Sequence, residues 1–286
     1  MASSNANAEQ IEYWNEVSGP RWVAAQERLD SMIEELGVAG IERAQVEPGE
    51  RVIDVGCGCG ASSLALAARV GSQGSVQGLD ISLPMLARAR ERARHAGFEN
   101  LRFDHADAQT HRFEGDADLV FSRFGVMFFD DPVAAFRNLH SALTPGGRIA
   151  FVCWQPLEQN PWMARPMEVV NRFVPPRPRL EPGAPGPFAF ADPDRVRGIL
   201  RAAGFAEIEV HRVTGVQRLG TTADLALAFL LDGVGPVASA LAEVQPGVRA
   251  AVARDLRELL AEHQTPRGVE FDTAVWIPTA RKPLDP

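Results

Sequence analysis

The feature that most restricts the fold of this chain is a short apolar run that leads directly into three glycines at alternate positions. The run is Val52-Ile53-Asp54-Val55, and Gly56, Gly58 and Gly60 follow it, with a helical pattern beginning near Ser62. Glycine adopts backbone conformations closed to other residues and lets a ligand approach the main chain where a side chain would block it. A buried strand, a glycine loop and a helix in this order are typical of an α/β protein.

The following hundred residues repeat this alternation of short apolar runs and helical stretches, which predicts βα units on a parallel sheet. The predicted strands are Arg51 to Val55, Ser75 to Asp80, Leu101 to His105, Leu119 to Ser122 and Arg148 to Trp154. The predicted helices between them are Ser62 to Val70, Pro84 to Ala96 and Pro132 to Leu143. Pro84 and Pro132 suit the first turn of their helices, and Ser82 and Asp131 are the expected caps.

A glycine loop of this kind serves NAD, FAD and S-adenosylmethionine alike, and it is also compatible with a plain tight turn. Asp54 suits an ammonium group but would face the pyrophosphate of a dinucleotide unfavourably. The glycine spacing Gly56-x-Gly58-x-Gly60 differs from the dinucleotide fingerprint. Asp80 ends the second strand, where a carboxylate can accept ribose hydroxyls. Asp107 follows the third strand, which places a carboxylate near where an adenine amino group would lie, although Asp107 could also be a turn residue.

These residues and two later motifs resemble a known family. The motifs are Val52 to Gly60, Gly78-Leu79-Asp80-Ile81-Ser82, Asp107-Ala108, Asp118-Leu119-Val120-Phe121-Ser122-Arg123 and Leu143-Thr144-Pro145-Gly146-Gly147-Arg148. From Glu50 to Trp154 the chain is similar to the class I S-adenosylmethionine-dependent methyltransferases, in particular the small-molecule type that includes the ubiquinone/menaquinone methyltransferases. The order of the motifs makes the resemblance specific.

The resemblance implies an α/β fold, with a doubly wound, seven-stranded and mostly parallel Rossmann-like sheet. Its last two strands would form a reversed hairpin, expected at Glu207 to Val213 and Val269 to Thr279. We expect three regions: an N-terminal helical extension over residues 1–45, a cofactor-binding core over 46–155, and a substrate-side insert or lid with the last strands over 156–286.

Each region outside the core has its own sequence pattern. Two helices, Glu9 to Val17 and Trp22 to Leu36, are expected in the extension, broken by Ser18-Gly19-Pro20 and ended by Gly37. The proline-rich stretch Pro175 to Pro187 is expected to be an extended connection or lid. Three more helices are predicted at Pro193 to Ala203, Ala223 to Leu231 and Val248 to His263, with Asp192 as the cap of the first.

Carried over residue by residue, the resemblance implies a set of cofactor contacts. Gly56, Cys57 and Gly58 would line the methionine part with Asp54 nearby, and Gly60 completes the loop. Asp80 would hold the ribose, Ile81 and Met85 would pack on the adenine, and Asp107 with Ala108 would bond its edge. Ser122 and Arg123 would offer backbone carbonyls to the amino group. Met85 could equally be helix core.

An acceptor pocket is expected above the carboxyl edge of the sheet, where aromatic residues are dense. The candidate substrate-binding residues are Trp14, Trp22, Phe124, Phe128, Trp154 and Trp162. They suit a hydrophobic or planar acceptor, although each could be lid packing. No catalytic residue is identified. His111 and Arg123 are weak candidates for a base and an orienting group, and Arg123 could instead form a salt bridge.

Composition excludes several competing functions. Lys282 is the single lysine and Tyr13 the single tyrosine, so a P-loop ATPase, a pyridoxal Schiff base and a tyrosine-lysine dehydrogenase pair are excluded. The net charge of −8 argues against a nucleic-acid surface. The three cysteines, Cys57, Cys59 and Cys153, are too few for a disulfide framework, and the first two alone cannot form a structural zinc site. We expect no metal.

The sequence therefore predicts a cytoplasmic enzyme that transfers a methyl group from S-adenosylmethionine to a small organic acceptor by in-line displacement, with S-adenosylhomocysteine as product. The acceptor would be a quinone precursor or a secondary metabolite. No apolar window is long enough for a membrane span, and the oligomeric state is left open. The alternatives are a regulatory protein that binds the cofactor without transfer, and a nicotinamide-dependent oxidoreductase.

Overall fold

The computed structural model describes residues 7–176, 181 and 183–284, so part of the proline-rich stretch expected to form a lid lies outside the described residues. Its sheet contains these strands: β1 Arg51–Val55, β2 Ser75–Asp80, β3 Leu101–His105, β4 Ala117–Arg123, β5 Leu143–Trp154, β6 Ala206–Gly220, β7 Gln264–Thr265 and β8 Gly268–Arg281.

The strand order β3-β2-β1-β4-β5-β8-β6 confirms the doubly wound sheet. β1 to β5 pair in parallel, and β8 runs antiparallel to both β5 and β6. The reversed hairpin is therefore confirmed, while the strand count differs from the expected seven. The additional strand is the two-residue β7, which turns back onto the start of β8.

Helices cover both faces of the sheet and extend beyond it. They are α1 Ala8–Glu12, α2 Ser18–Ala24, α3 Gln26–Arg43, α4 Ala61–Val70, α5 Leu83–Ala96, α6 Pro132–Ala142, α7 Pro161–Val170, α8 Pro193–Ala202, α9 Ala223–Asp232, α10 Pro236–Ala240 and α11 Pro246–Glu262. A π-helical turn, Tyr13–Val17, joins α1 to α2. Among the described residues no helix is both long and apolar enough to cross a membrane.

The predicted breaks in the N-terminal helices were wrong. Ser18-Gly19-Pro20 begins α2 directly after the π-helical turn, and α3 continues through Gly37 to Arg43. Glycine serves close packing here. A Cβ on Gly37 would lie 2.9 Å from Cδ of Arg123, and one on Gly40 would lie 2.5 Å from a methyl carbon of Val152. These two glycines let α3 approach the sheet closely, which helix propensity alone does not reveal.

Cap predictions were correct where a side chain accepts a hydrogen bond. Asp131 accepts one from the backbone N–H of Ala134, and Asp192 accepts one from Asp194. Ser82 occupies the cap position of α5, but its hydroxyl donates to the carbonyl oxygen of Trp14 instead. The Ser82 hydroxyl, which the sequence predicts as a helix cap, therefore bonds to the N-terminal segment instead.

Buried apolar residues form two large clusters rather than one. The first lies between the sheet and its flanking helices and includes Phe121, Phe136 and Phe151. The second is built by α7, α9, α10 and α11 around the far ends of β6 and β8, with Leu219 and Phe271 from those strands. This second core explains why β6 continues to Gly220, beyond the end predicted from the sequence.

A buried asparagine joins the two regions. Asn160 precedes α7, a helix that sequence analysis missed, and its side chain is fully buried. Its amide nitrogen donates to the carbonyl oxygens of Gln155, Pro156 and Ala274, and its oxygen accepts from the Thr273 hydroxyl and the Ala274 N–H, at 3.0 to 3.3 Å. The start of α7 is thereby fixed to β8.

We expect Asn160→Ala to lower the free energy of unfolding by about 2–4 kcal/mol, because several buried backbone groups lose their partner at once. The matched control is Asn171→Ala, an exposed position at the other end of α7, which should change stability by less than about 0.5 kcal/mol. Urea denaturation followed by circular dichroism measures both. Equal stability of the two variants would contradict the structural role given to Asn160.

Candidate cofactor and acceptor site

The glycine loop lies at the carboxyl end of β1 and contacts the turn after β4. Gly56 and Gly58 have φ of 65° and 54°, the left-handed region that favours glycine. A Cβ on Gly56 would lie 2.6 Å from Cα of Gly125, so the two backbones touch. The N–H groups of Gly56 and Cys57 donate to the carbonyl oxygen of Leu79 at 2.8 and 3.1 Å. The loop is thus held against both neighbouring strands.

Asp54 is completely buried beneath this loop. One carboxylate oxygen, Oδ2, accepts from the hydroxyls of Ser62 and Ser63 at 2.8 and 2.5 Å, in the first turn of α4. The other oxygen, Oδ1, is buried without a partner in the described part of the chain. Burial raises the pKa of Asp54 to about 6, while the serine hydroxyls and the positive charge of Arg123 act in the opposite direction.

Asp80 ends β2 beside the loop. Its Oδ2 accepts from the N–H of Gly58 and its Oδ1 from the N–H of Ser82, both at 2.8 Å. Burial raises its pKa. Met85 is buried, and its methyl carbon would lie only 2.8 Å from a Cβ on Gly58, so it packs directly against the loop. The structure therefore brings together the predicted residues at the ends of β1 and β2.

Gly60 and Cys57 have packing contacts in addition to their position in the loop. Gly60 precedes α4, and a Cβ on it would lie 3.0 Å from both Ala89 and Phe103. The Cys57 side chain is buried in a small third cluster with the same two residues. The side chain of Cys57 therefore packs in the interior and does not lie at the carboxyl edge of the sheet.

Asp107 and Ala108 follow β3 on the same edge. Asp107 Oδ1 accepts from the N–H of Gln109, and its Oδ2 accepts from the amide nitrogen of Asn7 at 2.8 Å. Ala108 is buried, and its carbonyl oxygen accepts from Asn138. The carboxylate of Asp107 is thus oriented by a turn and reached by the N-terminal segment.

The N-terminal segment, residues 7–24, lies over the ends of β2 and β3. Asn15 donates to the carbonyl oxygen of Ile81 at 2.8 Å and accepts from the N–H of Leu83 at 3.0 Å. The Ser82 hydroxyl donates to the carbonyl oxygen of Trp14 at 2.8 Å. Sequence analysis missed Asn7 and Asn15. Their partners across this edge of the sheet are 66 or more residues away, so no local pattern distinguishes them from surface amides.

Arg123 takes part in a charged cluster instead of facing an open pocket. It donates to Asp30 of α3 at 2.9 Å, and Arg92 of α5 donates to the other oxygen of Asp30 at the same distance. Arg92 also donates to the carbonyl oxygen of Cys59. The cluster ties α3 and α5 to the glycine loop. Ser122 is buried beside it, and its hydroxyl accepts from the N–H of Gly125.

His111 and the cysteines complete the set of candidate reactive groups. The His111 ring packs edge-on against Phe113 at 4.8 Å, in the loop after β3. All three cysteines are buried free thiols. Burial raises the pKa of Cys59 to about 12 and raises those of Cys57 and Cys153 as well. The thiols are therefore protonated at neutral pH and are poor nucleophiles.

The six predicted acceptor residues form two aromatic groups. In the first group, Trp14 contacts Trp22 and Phe128 edge-on at 6.0 and 5.2 Å. In the second, Phe124 stacks on Trp154 at 4.2 Å, and Trp154 contacts Trp162 at 5.3 Å. Trp22 and Trp162 each pack against both hydrophobic cores. The two groups therefore connect the carboxyl edge of the sheet with the helical region.

Comparisons with known proteins agree with this arrangement. A family model described as a methyltransferase domain matches residues 46–171. Aklanonic acid methyltransferase DauC from Streptomyces sp. (strain C5) is 43% identical over 117 residues, 41% of this chain. Demethylmenaquinone methyltransferase from Staphylococcus epidermidis is 30% identical over 181 residues, 59% of this chain. The chain spans 53% of the first relative and 73% of the second.

A solved structure supports the fold over a longer stretch. Phosphoethanolamine N-methyltransferase 2 from Haemonchus contortus, in complex with phosphomonomethylethanolamine and S-adenosylhomocysteine, aligns with 87% of this chain and 52% of its own. The TM-score is 0.52 and the identity 20%. This structure supports the fold, and the sequence relative matched over 73% of its length shows that the chain belongs to the family of S-adenosylmethionine-dependent methyltransferases.

Proposed function

We propose that this protein transfers a methyl group from S-adenosylmethionine to a small, planar and largely apolar organic acceptor, of the quinone-precursor or secondary-metabolite type. The observation that carries the proposal is the unpaired Oδ1 of Asp54, fully buried beneath the glycine loop at the carboxyl end of β1. A buried carboxylate oxygen without a partner is costly, so the site fits a ligand that brings a hydrogen-bonding cation.

The residues present fit S-adenosylmethionine at each of its parts. Asp54 suits the ammonium group, and the glycine-loop backbone suits the methionine chain. Arg92 and Arg123 share the single negative charge of Asp30, so two guanidinium groups lie near the loop, where they suit the carboxylate of the cofactor. In this proposal Asp80 would accept ribose hydroxyls and Asp107 would accept from the adenine amino group.

When bound, S-adenosylmethionine supplies an electrophilic methyl group on its sulfonium. The contribution of the chain is then to hold both reactants in line and to keep water out, which can account for much of the rate acceleration of such a displacement. The N-terminal segment covers the edge of the site through Asn7, Asn15 and Trp14. The raised pKa values of the thiols argue against a covalent intermediate on cysteine.

The aromatic groups support the acceptor class. Phe124 and Trp154 stack with an interplanar angle of 14°, and such flat faces suit planar rings. The names of the two sequence relatives refer to aklanonic acid and to demethylmenaquinone, which are consistent with an acceptor of that kind. The three unpaired thiols are consistent with a reducing compartment such as the cytoplasm.

We expect S-adenosylhomocysteine to bind with micromolar affinity, and Asp80→Asn to weaken that binding about 10- to 100-fold, because a charge-assisted hydrogen bond is lost. The control is Asp116→Asn, which removes an exposed ion pair with Arg51 at the other end of the strands and should change the affinity less than twofold. Isothermal titration calorimetry measures all three. Absence of binding by the unaltered protein would contradict the proposed function.

The affinity for S-adenosylhomocysteine should fall as the pH drops through about 6. The pKa of Asp54 is raised to about 6 in the free protein, so below that pH the carboxyl is neutral and attracts an ammonium group only weakly. We expect a loss of up to about tenfold per pH unit below the pKa of Asp54. Asp54→Asn should bind more weakly at pH 7 and show a much flatter profile.

The same pKa shift has the opposite effect on the stability of the free protein. A carboxyl whose folded pKa is raised stabilises the fold at low pH and loses that contribution as the pH rises through about 6. The difference in free energy of unfolding between the unaltered protein and Asp54→Asn should therefore decrease from pH 4 to pH 7. A pH-independent difference would show that Asp54 does not titrate in this range.

A further inference from the structure

One buried indole N–H of the acceptor side has no hydrogen-bond partner. Nε1 of Trp162 is buried, and no acceptor lies within reach in the described part of the chain. Buried tryptophan N–H groups usually find a partner. Trp276 illustrates the usual case, because its Nε1 donates to the carbonyl oxygen of Ala191 at 2.8 Å. The N–H of Trp162 therefore requires an explanation.

The surroundings of Trp162 make an ordered water a poor explanation. Trp162 lines a cavity of about 20 Å³ between α7 and the α9–α10 region, and the other lining side chains, such as Met163, Phe229 and Val237, are apolar. A buried water needs two to four polar partners. The cavity is large enough for one oxygen-sized group. One oxygen atom of an otherwise apolar ligand would fill the cavity and needs only a single donor, whereas a water molecule needs more partners.

Trp162 is also connected to the site of methyl transfer. Its ring contacts Trp154, which stacks on Phe124. Phe124 directly precedes Gly125, the residue whose backbone touches Gly56 of the glycine loop. An acceptor lying along this aromatic face would thus have one edge near the loop and the other near Trp162.

We propose that the indole N–H of Trp162 donates a hydrogen bond to a carbonyl or phenolate oxygen of a planar aromatic acceptor. The inference rests on the proposed function and adds the chemical group by which the acceptor is selected. An indole N–H can only donate, so the matching ligand atom must be a hydrogen-bond acceptor. Trp162 acts in recognition, and the proposal gives it no part in the transfer step.

Two planar probes of almost the same shape test this proposal: 9-fluorenone, which carries a ketone oxygen, and fluorene, which lacks it. Their dissociation constants are measured by calorimetry with S-adenosylhomocysteine present. We expect the unaltered protein to prefer the ketone about 3- to 10-fold, the value of one buried neutral hydrogen bond. Trp162→Phe keeps a flat ring and removes the N–H, and it should abolish the preference while leaving fluorene binding within about twofold.

A matched control separates recognition from folding. Trp276→Phe removes an N–H that already has a partner, so it should lower the melting temperature and leave the preference for 9-fluorenone intact. Both substitutions remove the same ring volume, but only Trp276→Phe also breaks a hydrogen bond, so Trp162→Phe should lower the melting temperature less.

The proposal is overturned if the unaltered protein shows no preference for the ketone, or if Trp162→Phe retains the preference. The S-adenosylhomocysteine titration distinguishes this failure from failure of the proposed function. Cofactor binding without a ketone preference rejects the role of Trp162 alone. Absence of cofactor binding rejects the proposed function on which it rests.

Discussion

The contact between two backbone turns, at Gly56 after β1 and at Gly125 after β4, is the constraint on which the rest of the site depends. No side chain fits between them, because a Cβ on either glycine would lie within about 2.7 Å of Cα of the other. The approach closes the glycine loop over Asp54 and fixes the start of the aromatic face. Phe124, next to Gly125, is held at a φ of 62°, an unusual value for a bulky side chain.

Burying the carboxylate of Asp54 under this contact gives the site its chemistry. The two serine hydroxyls satisfy one oxygen and leave the other unpaired, so the free protein carries an electrostatic cost that a cationic ligand can relieve. Trp162 is comparable on the side proposed to bind the acceptor, because its indole N–H is an unpaired donor in apolar surroundings. The fold leaves both groups without a hydrogen-bond partner, as is common at binding sites.

The second hydrophobic core connects these two ends. It forms because β6 and β8 continue past the sheet and give α7, α9, α10 and α11 a surface to pack on. Trp22 and Trp162 contact both cores, and Asn160 fixes the start of α7 to β8. The aromatic groups are therefore held between two separately packed regions.

The sequence by itself determined the sheet, the glycine loop and the acidic residues at the strand ends, because these depend on local periodicity and on residue types that only a few backbone conformations accept. It located Asp54, Asp80 and Asp107 at one edge of the sheet, since parallel strands bring their carboxyl ends together. The tertiary structure decided the rest. In it, Asn7 and Asn15 lie over the site and Arg123 pairs with Asp30. Helix α3 continues past Gly37, and the indole N–H of Trp162 has no hydrogen-bond partner in the described part of the chain. Each of these depends on a contact, or on the lack of one, between segments distant in the chain, and no local pattern specifies which distant groups meet.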